Sequence, residues 1–184
     1  YRMDPFSLQT LGKESWNGHF PFDWGVSAHP KVDERTGEML FFNYSKEAPH
    51  MKYGVVDENN DLVHYVDVPL PGPRLPHDMA FTENYAILND FPLFWDEDLL
   101  AKGVHAPRFH RDMPSRLGVI PRRGDTSQIR WFEAESTYVL HFVNAYEDGE
   151  EIVLDGFFQG DPEPKDIGGD RWERAFRFLA LDRL

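Results

Sequence analysis

The chain has 184 residues, 41% of them hydrophobic and 15% aromatic, with no cysteine and a formal net charge of −13. That length and apolar content suffice for a packed domain and exclude a disordered or fibrous chain. The acidic balance argues against nucleic acid as a partner, since its binding rests on clustered Lys and Arg, and the lack of cysteine excludes disulfides, thiolate catalysis, Cys-ligated zinc and iron–sulfur clusters.

In chain order, "GEMLFFNYS" (37–45), "HMKYGVVDE" (50–58) and "DLVHYVDVPL" (61–70) are runs of β-branched and aromatic residues that predict strands, with a tight hairpin at "ENND" (58–61). "FTENYAILND" (81–90) continues the meander. The segment 96–127, rich in Pro, Arg and His, predicts a long connection with one short helix at "DEDLLAKGV". Strands resume at 128–134, 136–147 and 150–158, with Asp148-Gly149 as the hairpin signal between the last two, and 160–170 predicts a polar loop. Clusters of about four short strands predict an all-β fold, either a sandwich or a propeller. The chain opens on Tyr1, and the closing "RAFRFLALDRL" has the apolar spacing of an element in progress with no cap after it. The expectation is an internal fragment of a longer polypeptide.

Eight histidines, at 19, 29, 50, 64, 77, 105, 110 and 141, are the main candidates for metal chemistry. Most histidines in proteins are plain surface or core residues, and no pair has the helical spacing of a His-Glu-x-x-His zinc site. His105 and His110 read as solvated, His64 as structural, and His50 as lacking a partner. His141 differs: alternation through "STYVLHFVNAYE" places it with Thr137, Val139, Val143 and Ala145, opposite Tyr138, Leu140, Phe142 and Tyr146. A buried imidazole there would need a hydrogen-bond partner or a metal. His29 precedes Pro30 and His77 follows Pro76, so each sits on stiff backbone. Imidazoles from three strand clusters converge only if successive clusters face one centre, as propeller blades do.

The stretches "SAHPKVDERTGEMLFFNYS", "PHDMAFTENYAILNDFPL", "PSRLGVIPR" and "IRWFEAESTYVLHFVNAYEDGEEIVLD" together resemble the carotenoid cleavage oxygenase family, which includes the lignostilbene dioxygenases. The resemblance runs in the family's order from about residue 16 to 158. It implies a seven-bladed β-propeller, of which residues 1–184 hold about three blades' worth of strands with long loops, a partial domain incomplete without the remainder of the polypeptide. It further implies one mononuclear non-haem iron(II) bound by four histidines. Carried over by motif, His29 matches the "AHP" element, His77 the "HDM" element and His141 the histidine after "WFE". The fourth ligand and the glutamates that orient the ligands fall outside the matched motifs, and Glu83, Glu133 and Glu135 carry no assignment.

The implied activity is oxidative cleavage of one carbon–carbon double bond of an apolar conjugated substrate, a stilbenoid or an apocarotenoid, with O2 to give two carbonyl products. "FVNAYEDG" and "LDGFF" incline the resemblance towards the lignostilbene branch. The fragment alone is expected to be inactive, and iron is expected to leave at acid pH as the imidazoles protonate. A non-catalytic propeller that binds a ligand or protein is the competing reading. Phe91, Phe94, Trp95, Phe157 and Phe158 read as packing residues, some of them candidates to line a substrate tunnel. The basic stretch 108–125 reads as a salt-bridged anchor for the long connection. With no apolar run of the roughly 18–20 residues that span a bilayer and no N-terminal signal pattern, a soluble cytoplasmic protein is expected. Peripheral membrane contact stays open because the substrates are lipophilic.

Overall fold

The computed structural model describes residues 1–20, 25–95, 97–103 and 107–159. Among them, a hairpin of β1 (Arg2–Met3) and β2 (Thr10–Gly12) precedes the first full sheet, β3 (Lys31–Asp33), β4 (Glu38–Tyr44), β5 (Met51–Val56) and β6 (Leu62–Asp67). The second sheet contains β7 (Ala80–Phe81) and β8 (Tyr85–Asp90). An excursion follows, made of β9 (Leu93–Trp95), α1 (Glu97–Ala101) and β10 (Pro107–Phe109). The chain then returns through β11 (Ser115–Pro121) and β12 (Arg130–Ala134) to finish that sheet. A third hairpin pairs β13 (Phe142–Asp148) with β14 (Glu151–Gly156). Each four-stranded sheet is an antiparallel meander in sequence order, the repeating unit of a β-propeller. The all-β expectation therefore holds, and the described residues form two such blades and the hairpin of another. No described helix is long and apolar enough to cross a membrane.

The predicted hairpins form where their turn residues place them. Asp57 accepts at Oδ1 from the backbone N–H groups of Asn59 and Asp61, both at 2.9 Å, and Asn60 takes the left-handed conformation (φ 65°). Gly149 does the same between β13 and β14 (φ 62°). The run "LFF" in β4 is buried on both faces because the blade has neighbours on both sides. Leu40 and Phe42 join Tyr53, Val55, Met79, Leu88 and Ile120 between the two blades, whereas Phe41 packs with Trp16, Phe20 and Val56 on the far side. Phe41 lies so close over Gly54 that a Cβ there would stand 2.5 Å from the ring's Cζ.

Polar links lock the blades to one another. Arg122, at the end of β11, reaches back to the first blade through Asp33 (2.6 Å) and Glu38 (3.0 Å), and Arg123 also pairs with Glu38. Glu147 on β13 accepts from the Thr82 hydroxyl (2.6 Å) and from the backbone (2.8 Å) and side-chain (2.9 Å) nitrogens of Asn84 in the second blade. The salt-bridge reading of the basic stretch thus holds, but the expected connection contains strands: Pro107–Phe109 forms β10 against β9. Residues 115–121 are not loop but strand β11, paired on both sides with β8 and β12. The Arg and Pro residues flanking "RLGVI" obscure its strand character in sequence, because hydrogen bonds to two neighbours outweigh the weak local pattern. The predicted short helix is present as α1. The polar loop at 160–170 and "RAFRFLALDRL" lie outside the described residues.

Replacing Gly54 by Ala should cost about 1–3 kcal/mol, the usual range for overpacking a filled site, measured as a lower denaturant midpoint of the intact protein. The hydroxyl of Thr82 and the amide of Asn84 hold Glu147 below its ordinary value near 4.5. A carboxylate depressed in this way stabilises the fold fully above the unfolded value, and the contribution disappears as pH falls through the folded one. The Glu147→Gln variant should therefore lose stability at pH 7 and show a shallower acid limb in a plot of Tm against pH.

Candidate metal centre

His29, His77 and His141 each stand just before the first strand of a different sheet: β3, β7 and β13 respectively. β7 and β13 lie against each other, so two of these leading strands are neighbours in space. The three rings meet, with centroids 4.6 Å (29 to 77), 4.9 Å (29 to 141) and 5.1 Å (77 to 141) apart. One ring nitrogen from each lies within 4.8 Å of the others, and the Nε2 atoms of His29 and His77 are 2.9 Å apart. Imidazole nitrogens sit roughly 2.1 Å from a divalent transition metal, so two of them at right angles to each other lie about 3 Å apart. The spacing and donor set fit a single divalent ion of the kind imidazole favours.

The proline-rich lead-in to His77 is clamped at successive residues. Arg74 is buried and donates to Asp90 at 2.6 Å, and Asp90 also accepts from Arg116 Nε at 2.9 Å. The guanidinium of Arg74 stacks 4.0 Å over Phe94. The Tyr138 hydroxyl donates to the Leu75 carbonyl (3.0 Å), and the Asn89 side chain to the Asp78 carbonyl (2.7 Å). His77 is thus held by side chains of its own blade and of the segment leading to the next. Burial first, and then the neighbouring His29 and His141, hold the His77 ring below the ordinary histidine range of titration, so it is neutral at pH 7.

Asp78, the next residue, ties the three approaches together. Its carboxylate is 2% exposed; Oδ1 pairs with Lys31 Nζ at 2.6 Å and accepts from the Met79 backbone N–H at 2.8 Å, and Oδ2 accepts from the backbone N–H of Phe142 at 2.9 Å. Lys31 lies two residues beyond His29, and Phe142 directly follows His141. The sequence reading missed Asp78; its position inside the "HDM" element was the available signal.

The local account of His141 needs correction. Residues 137–141 are not strand, and the ring is exposed rather than buried. Ser115 Oγ accepts from the Thr137 N–H (2.9 Å) and donates to its carbonyl (3.0 Å), while the Thr137 hydroxyl bonds to the backbone of Gln159. Side chains take the place of a strand ladder here, so period-two alternation fails and Thr137, Tyr138 and Val139 are buried in succession. Leu140 and Phe142 do serve as packing, against a cluster of Phe91, Leu93, Phe109, Tyr138 and Val139.

The other histidines stand apart. His64 packs edge-on to Tyr53, with ring centroids 5.8 Å apart, as a structural residue. His110 is not solvated but stacks on Phe94 at 3.9 Å, an aromatic face that sequence distance conceals. His50 is not without a partner: its Nδ1 lies 3.4 Å from the Ser45 carbonyl in a local turn. His105 lies outside the described residues. Phe157 and Phe158 are exposed rather than packed. Glu83 pairs with Arg35 at 3.6 Å, and Glu133 and Glu135 are exposed; among the described residues no hydrogen bond joins any of the three glutamates to the histidine rings.

The family described as Retinal pigment epithelial membrane protein, RPE65, matches residues 1–175. A carotenoid 9,10(9',10')-cleavage dioxygenase of Pisum sativum is 35% identical over 173 residues, covering 93% of this chain and 32% of that protein. An isoeugenol monooxygenase of Pseudomonas nitroreducens is 34% identical over 158 residues, covering 84% and 33%. The crystal structure of Pseudomonas brassicacearum lignostilbene dioxygenase superposes with a TM-score of 0.74 at 28% identity, over 84% of this chain and 33% of that one. The chain spans about a third of the length of the curated relatives it matches. With two propeller blades, three converging histidines and a family match along nearly its whole length, the chain belongs to the RPE65/carotenoid cleavage oxygenase family.

Proposed function

We propose that this chain contributes His29, His77 and His141 as three of four histidine ligands to a mononuclear non-haem iron(II) centre. The whole protein would be an oxygenase that uses O2 to split a carbon–carbon double bond of an apolar conjugated substrate, a stilbenoid or an apocarotenoid, into two carbonyl products. The observation that carries this reading is the meeting of three imidazoles from three sheets, with Nε2 atoms 2.9 Å apart in the closest pair. The likeness to proteins named for carotenoid cleavage, isoeugenol oxidation and lignostilbene dioxygenation supports the reaction class.

The residues of this chain do three things in that scheme. Neutral imidazoles hold the ion without cancelling its charge, and the titration behaviour of His77 keeps that ligand deprotonated at neutral pH. The clamps on Arg74, Leu75 and Asp78 hold the chain on both sides of His77, so less ordering remains to oppose binding. The His141 ring is exposed, whereas its chain neighbours Leu140 and Phe142 pack on the cluster of Phe91, Leu93, Phe109, Tyr138 and Val139, so the residue is anchored beside the ring rather than through it. Iron(II) bound there supplies the redox chemistry that brings dioxygen and alkene to reaction. A non-catalytic binding propeller is the second reading, and metal content separates the two.

Metal analysis of the intact protein should give close to one iron per chain, falling at least about tenfold in His77→Ala, since even loss of a group that merely supports a ligand costs roughly 10- to 100-fold in metal affinity. Unchanged iron in that variant would favour the binding module. Because protons compete for the same nitrogens, iron retained after dialysis against a chelator should fall as pH drops below about 6. Full retention well below pH 5 would contradict ligation by these rings.

A further inference from the structure

We propose that Asp78 is a positioning residue that sets the mutual placement of the three imidazoles, an inference that rests on the metal-centre reading above. Among the described residues no hydrogen bond joins the carboxylate to any of the three rings. Its three partners belong to the three approaches: Lys31 beyond His29, the N–H of Met79 beyond His77, and the N–H of Phe142 beyond His141. A carboxylate buried to 2% exposure needs a counter-charge and several donors to offset the lost hydration, and this one takes them from β3, from the segment joining His77 to β7, and from the first residue of β13. Loss of any one partner leaves the buried carboxylate less satisfied, so Asp78 couples the two blades and the third hairpin at one point. Of the links between sheets described above, Arg122 joins the first blade to the second and Glu147 the second to the third hairpin. Asp78 alone among these groups reaches all three, and it does so next to the ligands.

The two oxygens have separable duties. Asn at this position keeps an acceptor for one backbone N–H but removes the charge that holds Lys31. Ala removes both. A loss confined to the Lys31 link should loosen His29, whereas loss of the Phe142 link should release His141.

The test compares wild type, Asp78→Asn, Asp78→Ala, Lys31→Met and Glu147→Gln in the intact protein. Iron(II) affinity is measured by chelator competition, and ring-to-ring contacts in metal-free protein by NMR with ¹³Cε1-labelled histidine. Asp78→Ala should weaken iron binding roughly 10- to 100-fold, the range seen when groups supporting metal ligands are removed, and should abolish the contact between the His29 and His141 rings. Asp78→Asn should recover part of the affinity, and Lys31→Met should lose the His29 contact while keeping that between His77 and His141. Glu147→Gln, which weakens the same junction away from the ligands, should lower Tm yet leave affinity and ring contacts unchanged. Wild-type affinity and intact ring contacts in folded Asp78→Ala would overturn the proposal. So would an equal loss in Glu147→Gln, since the effect would then be general loosening. If wild type shows the ring contacts and Asp78→Ala loses them, yet no variant binds iron, the positioning role stands and the metal reading fails.

Discussion

The carboxylate of Asp78 is withdrawn from water and satisfied by an ammonium on β3, the backbone N–H of Met79 just before β7 and the backbone N–H of Phe142 at the start of β13. In an interior of low polarity such a charge is costly alone and strongly held when paired, so each partner is fixed by the others. The geometry of the histidine cluster follows from this constraint. His29, His77 and His141 lie within two residues of a group bonded to that carboxylate, so the chain is tethered beside each ring.

Packing extends the same logic outward. Leu40, Phe42, Tyr53, Met79, Leu88 and Ile120 fill the space between the first two blades, and Phe91, Leu93, Phe109, Tyr138 and Val139 fill the space beyond the second. Burial of such side chains is worth about 1.5–3 kcal/mol each, far more than any single surface ion pair. The apolar layers hold the blades together, while Arg122, Glu147 and Asp78 select their register. A division of this kind explains how an acidic, cysteine-free chain can bring three imidazoles together through long-range contacts.

Much of this was legible in the residues. Turn chemistry at "ENND" and Asp148-Gly149 placed two hairpins correctly, because the left-handed conformation there is a local property of Asn and Gly. The three histidines were legible only as members of long motifs, since no short spacing brings residues 29, 77 and 141 together. What stayed hidden was non-local. Strand β11 owes its conformation to neighbours on both sides, and the approach to His141 owes its irregular path to Ser115 and Gln159. The stacking of His110 on Phe94 and the reach of Asp78 to Lys31 and Phe142 likewise depend on contacts that periodicity does not encode.

The proposed centre requires one ion shared by the rings of His29, His77 and His141. Anomalous diffraction at the iron absorption edge, from crystals of the intact protein grown with iron(II), tests it most directly. One strong peak is expected within bonding distance of ring nitrogens of His29, His77 and His141 together. A peak elsewhere, or bound iron that leaves any of these three rings uncoordinated, would contradict it.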